Sequence, residues 1–220
     1  MKIGVLALQG AFREHRDVLA RLGVQALEIR QPEELDVCDG LVLPGGETTA
    51  QRKLAQTYGL WEPLKRIGRR GIPILATCAG LILLGKRIDG KTGSSLDLLD
   101  VDVQRNAYGR QVFSFETSLR IHPLPGIPDG REPVRAIFIR APRVVRVGEG
   151  VSVLGSHQGE PVAVLQGSIL GLAFHPELTD DPRFHRYFLE AVRRHKGTPA
   201  REKAVAETAT FLRAAVGDER

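Results

Sequence analysis

One cysteine stands where a buried strand is expected to turn into a helix. The apolar run over residues 73–77 ends at Cys78, and a second apolar run begins after Gly80. A sharp strand-to-helix turn presents its side chain beside backbone N–H groups, which suits a nucleophile. A helix N-terminus also favours negative charge and therefore the reactive thiolate. Cys78 is a candidate nucleophile, although a buried, inert cysteine would fit the same local pattern.

Another strand end carries a base and a carboxylate. The apolar run over residues 169–174 is followed directly by His175, with Glu177 two residues later. An imidazole can take the proton of a thiol, and a carboxylate can fix the imidazole tautomer and stabilise its charged form. Taken singly, His175 could be a core histidine, Glu177 a helix cap, or both metal ligands. Because no third ligand has convincing spacing, we predict a Cys78–His175–Glu177 triad and no metal site.

A third strand end could stabilise the negative charge of a tetrahedral intermediate. Such an oxyanion needs backbone N–H donors. The N–H of Ala79 directly follows the nucleophile, and Gly46, in the Pro-Gly-Gly turn after residues 41–43, can supply a second donor. In open parallel sheets, ligands bind beyond the carboxyl ends of the strands. The three strand ends are therefore expected to converge on one site.

The elements that must position these residues alternate between strands and helices. Strands are predicted over residues 2–8, 24–29, 41–43, 73–77 and 169–174, and helices over 11–22, 48–57, 60–70 and 182–195. Shorter β-rich segments fall at 113–121, 134–139, 144–147, 151–155 and 162–166. This pattern predicts an α/β fold, with an open, mostly parallel sheet, helices on both faces and additional antiparallel strands packed on it.

Composition narrows the class of protein. The chain has 220 residues, of which 42% are hydrophobic and 26% charged, as in ordinary globular domains. No apolar run is long enough to span a membrane, and the N-terminus is expected to be a first strand and not a signal peptide. The two cysteines then favour a reduced, cytoplasmic setting without a disulfide, with Cys38 structural or incidental. The net charge of +5 is spread along the helices without interleaved aromatics, so we expect no nucleic-acid partner.

Together these motifs resemble class I glutamine amidotransferases. Residues 44–47 correspond to that family's oxyanion loop, 77–80 to its nucleophile turn and 175–177 to its His–Glu pair. The resemblance covers about residues 1–196 and implies a single amidotransferase domain over 1–197. Residues 198–220 would then be a charged, helical extension of unknown role.

Four segments narrow the resemblance to the glutaminase subunits of pyridoxal 5'-phosphate synthases: residues 4–12, 43–49, 105–111 and 138–142. That family hydrolyses L-glutamine to L-glutamate and ammonia without a cofactor, through a cysteine thioester. The ammonia passes to a (β/α)8 synthase subunit within a large hetero-oligomer that makes vitamin B6. The resemblance also implies glutamine-binding roles for Gly46, Glu47, Thr48, Arg105, Ile139 and Arg140.

The chemistry of glutamine agrees with these assignments. An amino acid needs a cation for its carboxylate, here Arg105 or Arg140, and an acceptor for its ammonium group, here Glu47. Thr48 stands where the family more often has serine, and it keeps the hydroxyl. For the partner-docking face, our hypothesis is the basic helix that carries Arg13, His15 and Arg16.

Three alternatives stay open on the sequence. The chain could be the glutaminase subunit of another amidotransferase, such as imidazole glycerol phosphate synthase, although residues 105–111 and 138–142 argue against it. It could be a non-catalytic scaffold of the same fold, against which the complete triad argues. It could also be a cysteine peptidase, which the arginine and glutamate residues suited to a free amino acid disfavour.

Overall fold

The computed structural model describes residues 1–105, 114–122, 124 and 132–197. The predicted extension over 198–220 lies outside the described residues. The helices are α1 (Phe12–Arg21), α2 (Thr48–Thr57), α3 (Trp61–Arg69), α4 (Ala79–Leu84) and α5 (Arg183–Gly197), with 3-10 turns at Pro32–Leu35 and Pro176–Leu178. The strands are β1 (Ile3–Leu6), β2 (Ala26–Ile29), β3 (Gly40–Leu43), β4 (Ile74–Thr77), β5 (Gly85–Ile88), β6 (Leu99–Gln104), β7 (Ser114–Leu119), β8 (Val134–Ile139), β9 (Arg143–Val147), β10 (Ser152–His157), β11 (Glu160–Gln166) and β12 (Ile169–Leu172).

A seven-stranded sheet forms the centre of the fold, in the order β10-β11-β12-β4-β3-β1-β2. Its neighbouring strands from β12 to β2 run parallel, while β11 and β10 join antiparallel at one edge. Every residue of β1, β3, β4 and β12 is buried, as expected for parallel strands covered on both sides. The predicted fold class is confirmed.

Helices cover both faces of this sheet. Thr77 of β4 contacts His15 of α1. The neighbouring residue Ala76 pairs with Gly171 of β12. A Cβ added to Gly171 would contact Leu81 of α4, so α4 covers the face to which these two positions point. Because successive residues of a strand point to opposite faces, α1 and α4 lie on opposite sides of the sheet.

The remaining strands form two smaller sheets. In one, β5 pairs with β6 and β6 with β9; in the other, β7 pairs with β8. The antiparallel additions were predicted as strands packed on the first layer. In the structure β10 and β11 extend the central sheet itself, whereas β7 to β9 belong to the small sheets. Among the helices that the structure describes, none is long and apolar enough to cross a membrane.

Candidate active site

The turn between β4 and α4 holds Cys78 in an uncommon backbone conformation. Its φ is +47° and its ψ is −103°, in a region that L-residues adopt at a cost of about 1–3 kcal/mol. The backbone N–H of Cys78 donates to the carbonyl of Leu172 on the neighbouring strand (2.8 Å), which fixes the turn to β12. The thiol is buried, 3.7 Å from the carbonyl oxygen of Ile139. This strained, anchored turn places the sulfur at the first turn of α4.

Gly80 lets α4 lie close to the sheet. A Cβ at this position would collide with the backbone carbonyl of Leu43 on β3. The helix therefore starts directly above the strand end that leads into residues 44–47. The N–H of Ala79 belongs to the first turn of this helix, where backbone donors have no intrahelical acceptor.

His175 follows β12 and lies beside Glu177. The two residues open the 3-10 turn Pro176–Leu178, and His175 Nδ1 is 2.7 Å from Glu177 Oε1. The N–H of His175 donates to the carbonyl of Ile137 on β8 (2.9 Å). Both residues are buried, at 6% and 5% exposure. The carboxylate holds Nδ1 as the protonated nitrogen, so Nε2 is the one available to a thiol.

The surroundings of His175 favour its charged form. Burial by itself lowers the pKa of the ring, but hydrogen bonds to Cys78 and Glu177, together with the charge of the carboxylate, outweigh it and raise the pKa to about 10. The pKa of Glu177 is held far below its usual value: burial opposes this, and the neighbouring His15 and His175 rings cause it. This arrangement suits a thiolate–imidazolium pair.

Three polar residues that the sequence analysis did not assign to the site stand behind Glu177. His15 Nε2 lies 3.4 Å from Glu177 Oε1 and 3.1 Å from Thr77 Oγ1. His15 Nδ1 lies 2.9 Å from His185 Nε2 on α5. Both histidines are fully buried. The two histidines could have been found from the sequence, because each lies on the apolar stripe of an amphipathic helix. In α1, position 15 shares a face with Phe12 and Leu19.

The hypothesis that His15 belongs to a docking face is therefore wrong. The side chain is completely buried, because it faces Thr77 and His185 inside the fold. Arg13 and Arg16 of the same helix are exposed.

The turn after β3 is fixed against the catalytic side chains. The N–H of Gly45 donates to Thr77 Oγ1 (3.0 Å), and its carbonyl accepts from the N–H of Ala11 (3.0 Å). A Cβ on Gly45 would collide with the His175 ring, and one on Gly46 would meet Gln9. The glycine pair therefore lets backbone approach the imidazole more closely than any other residue type allows.

A cavity of about 240 Å³ opens over these groups. Its lining includes Cys78 and His175, as predicted for the chemistry. It also includes all six residues predicted to bind glutamine: Gly46, Glu47, Thr48, Arg105, Ile139 and Arg140. Ala79 and Glu177 stand behind this lining, next to Cys78 and His175. The structure thus brings every predicted site residue to one place, and their individual roles stay predictions.

The charged residues that line the cavity differ in their hydrogen-bond partners. Glu47 caps α2, accepting from the N–H groups of Thr49 (3.0 Å) and Ala50 (2.6 Å). Burial opposes the ionisation of Glu47, but these N–H bonds dominate and lower its pKa. Arg105 donates through Nε to Asp89 (2.7 Å), a partner that the sequence analysis missed. The predicted segment 105–111 lies outside the described residues apart from Arg105.

Arg140 differs from Arg105 in its ion pairing. It is exposed and has a φ of +45°. In the part of the chain that the structure describes, its guanidinium makes no ion pair.

Comparisons with known proteins show the family to which the chain belongs. A model of the SNO glutamine amidotransferase family matches residues 5–194. Among curated relatives, the pyridoxal 5'-phosphate synthase subunit PdxT of Thermotoga neapolitana is 53% identical over 193 residues, covering 88% of this chain and 100% of the relative. The PdxT subunit of Halalkalibacterium halodurans is 51% identical over 196 residues, covering 89% and 97%.

Solved structures point the same way. A crystal structure of a glutamine amidotransferase superposes with a TM-score of 0.79 at 46% identity, covering 86% of this chain and 98% of that one. The structure of PurLQS from Thermotoga maritima has a TM-score of 0.66 at 16% identity, covering 88% of this chain and 97% of that one. At that identity the second likeness concerns the fold alone.

Proposed function

Because the chain belongs to the SNO glutamine amidotransferase family, we propose that it is the glutaminase subunit of a pyridoxal 5'-phosphate synthase. In this role it hydrolyses L-glutamine to L-glutamate and ammonia. The observation that carries the proposal is one cavity that holds Cys78, on a strained turn, and His175, 2.7 Å from Glu177. Relatives that are more than 50% identical over nearly their whole length bear the name of that synthase subunit.

The proposed reaction proceeds through a thioester. Cys78 Sγ attacks the side-chain amide carbon of glutamine, while His175 takes the thiol proton and Glu177 stabilises the resulting imidazolium. His175 then gives the proton to the leaving nitrogen, the C–N bond breaks, and ammonia departs. A water molecule attacks the γ-glutamyl thioester, with His175 again as the base, and releases glutamate and the free thiol.

Backbone donors would stabilise the two tetrahedral intermediates. The N–H of Ala79 lies at the start of α4, where the helix dipole adds to its effect on a negative oxygen. Gly46 is the proposed second donor. Each such donor contributes about 100- to 1000-fold to turnover in hydrolases of this kind.

The remaining lining residues would bind the amino-acid end of glutamine. Arg140, which has no ion pair within the described residues, is our candidate for the substrate carboxylate. Arg105 is held by Asp89 and would position the opposite wall together with Thr48. Glu47 accepts two N–H groups and, as a carboxylate, still has acceptor sites left for the ammonium group.

Pathway assignment follows the relatives' name. We assign the ammonia to a (β/α)8 synthase partner in a cytoplasmic hetero-oligomer that makes pyridoxal 5'-phosphate, with residues 1–197 as the amidotransferase domain and 198–220 as an extension to it. The alternative of an imidazole glycerol phosphate synthase subunit loses support, because the curated relatives quoted above carry the other name.

A diazoketone analogue of glutamine tests the proposed nucleophile and substrate together. Incubation with 6-diazo-5-oxo-L-norleucine should add one covalent group per chain, which peptide mass spectrometry should locate on Cys78, and excess L-glutamine should slow the reaction. The matched control is Cys78→Ala, which keeps Cys38 as the other thiol and should stay unlabelled. Labelling of Cys38, or labelling that glutamine does not slow, would contradict the proposal.

A further inference from the structure

A line of buried polar groups continues from Glu177 to the helices α1 and α5. His15 Nε2 faces both Glu177 Oε1 (3.4 Å) and Thr77 Oγ1 (3.1 Å), and His15 Nδ1 faces His185 Nε2 (2.9 Å). Both histidines have 0% exposure. Two buried imidazoles in one line are costly unless each is hydrogen-bonded, so their arrangement calls for a physical reason.

The end of the line fixes the positions of the protons. His185 Nδ1 is buried and has no hydrogen-bond partner among the described residues. A buried N–H without an acceptor is the costlier choice, so Nδ1 is the unprotonated nitrogen and Nε2 carries the proton. Burial is the largest of the causes that lower the pKa of His185 to about 3, so the ring is neutral near pH 7.

The position of the proton on His15 follows from that on His185. Since His185 Nε2 donates, His15 Nδ1 accepts, and the proton of His15 lies on Nε2, directed at Thr77 and Glu177. Thr77 Oγ1 already accepts from the N–H of Gly45 (3.0 Å), so its own proton is free to go to Glu177 Oε1, 3.5 Å away. Glu177 Oε1 is thus faced by donors from His15 and Thr77 as well as from His175.

We propose that His15, oriented by His185, is a positioning residue that holds the Glu177 carboxylate against His175. The proposal rests on the proposed glutaminase function, in which Glu177 orients the base. The His15 side chain does not contact the thiol. It reaches the site through Glu177 and through Thr77, which also accepts from the N–H of Gly45. Hydrogen-bond partners behind metal ligands contribute about 10- to 100-fold, and we expect an effect of that order for the partner of Glu177.

The groups around the carboxylate determine the expected pH effect. Facing Glu177 are His15 from α1, His175 from its own turn, and Thr77 from β4; Cys78 lies beyond His175, and His185 from α5 lies beyond His15. The donors at His15 and His175 lower the pKa of Glu177 against the opposing effect of burial. Removing the His15 donor should therefore raise the pKa of Glu177, and with it the pH at which the linked Glu177, His175 and Cys78 side chains take up a proton.

Two polar substitutions at one position separate hydrogen bonding from packing. In His15→Gln, the side-chain amide nitrogen reaches the position of the imidazole Nε2 and can still donate to Glu177. In His15→Asn, the amide reaches only the Nδ1 position. Both proteins are assayed for kcat and KM with glutamine, and for the pH profile of Cys78 alkylation by iodoacetamide, which does not require glutamine turnover. Val18→Ala, a buried change on the same helix, is the packing control.

The asparagine protein should lose about 10- to 100-fold in kcat with little change in KM, and the acid limb of its alkylation profile should move up by about one pH unit. The glutamine protein should stay within about threefold of the unmodified protein on both readouts. Equal behaviour of the two variants, or a Val18→Ala protein with the same profile shift, would overturn the proposal. Should His15→Asn not fold, His185→Asn against His185→Gln gives the same contrast one step away.

The two proposals fail differently. An unmodified protein that is alkylated at Cys78 but releases no glutamate even with the synthase subunit present contradicts the glutaminase assignment, while the alkylation profiles still decide the role of His15. A protein that releases glutamate with identical kcat in both His15 variants contradicts only the role of His15.

Discussion

Replacing Glu177 with glutamine tests how the charge of the triad carboxylate supports His175. The substitution keeps the shape and an acceptor 2.7 Å from the imidazole but removes the negative charge. The pKa of His175 is raised from 6.5 to about 10, which corresponds to roughly 5 kcal/mol in favour of the imidazolium. Burial opposes that shift, and the Cys78 and Glu177 contacts together produce it.

The size of the expected effect follows from the part of the His175 pKa shift that Glu177 causes. A hydrogen bond to a charged group contributes about 1.5–3 kcal/mol, so loss of the charge should cost imidazolium stability of about that size. That corresponds to a fall in kcat of roughly 13- to 160-fold. Because the folded-state pKa of His175 falls, the ring should also lose its proton at lower pH than in the unmodified protein.

Two assays measure these effects. Glutamate release at saturating glutamine gives kcat, and NMR of the imidazole nitrogens follows the His175 proton across pH. Glu62→Gln removes an exposed carboxylate that pairs with Lys65 and should change neither readout, because exposed pairs of this kind contribute little. A Glu177→Gln enzyme with kcat within threefold of the unmodified protein and an unshifted His175 titration would refute the reasoning.

Three further predictions concern other parts of the site. Burial, with nearby acids, raises the pKa of the Cys38 thiol to about 11. Iodoacetamide at pH 8 should therefore label Cys78 alone, which peptide mass spectrometry would show. Equal labelling of both cysteines would contradict this. Gly80→Ala places a Cβ against the carbonyl of Leu43 and should cost about 1–3 kcal/mol in urea unfolding, whereas an unchanged midpoint would show that α4 does not lie so close. Arg140→Ala should raise KM for glutamine about tenfold or more with kcat nearly constant, and Arg140→Lys should recover part of it; a fall in kcat alone would refute its binding role.

The sequence predicted best those elements whose signals are local. The helix Thr48–Thr57 has the predicted bounds, and the strand, turn and helix around Cys78 were predicted from two apolar runs and a glycine. Convergence of the three strand ends was predictable too, because the carboxyl ends of parallel strands share one edge.

Other features depend on contacts that no local pattern encodes. The strand Gly85–Ile88 is four residues long and follows α4 without a break, so its sequence does not separate it from the helix. The pairing of His15 with His185 joins positions 170 residues apart, and only the packing of α1 beside α5 brings them together. The ion pair of Arg105 with Asp89 likewise depends on β5 lying beside β6.

Glutamate release from L-glutamine is the most direct test of the central claim. The purified chain would be assayed alone and with the (β/α)8 subunit of pyridoxal 5'-phosphate synthase, with Cys78→Ala as the blank. We expect release that rises when the synthase subunit is added and is absent from the blank in both conditions. Release by Cys78→Ala at the unmodified rate, or no release by the unmodified chain with its partner present, would contradict it.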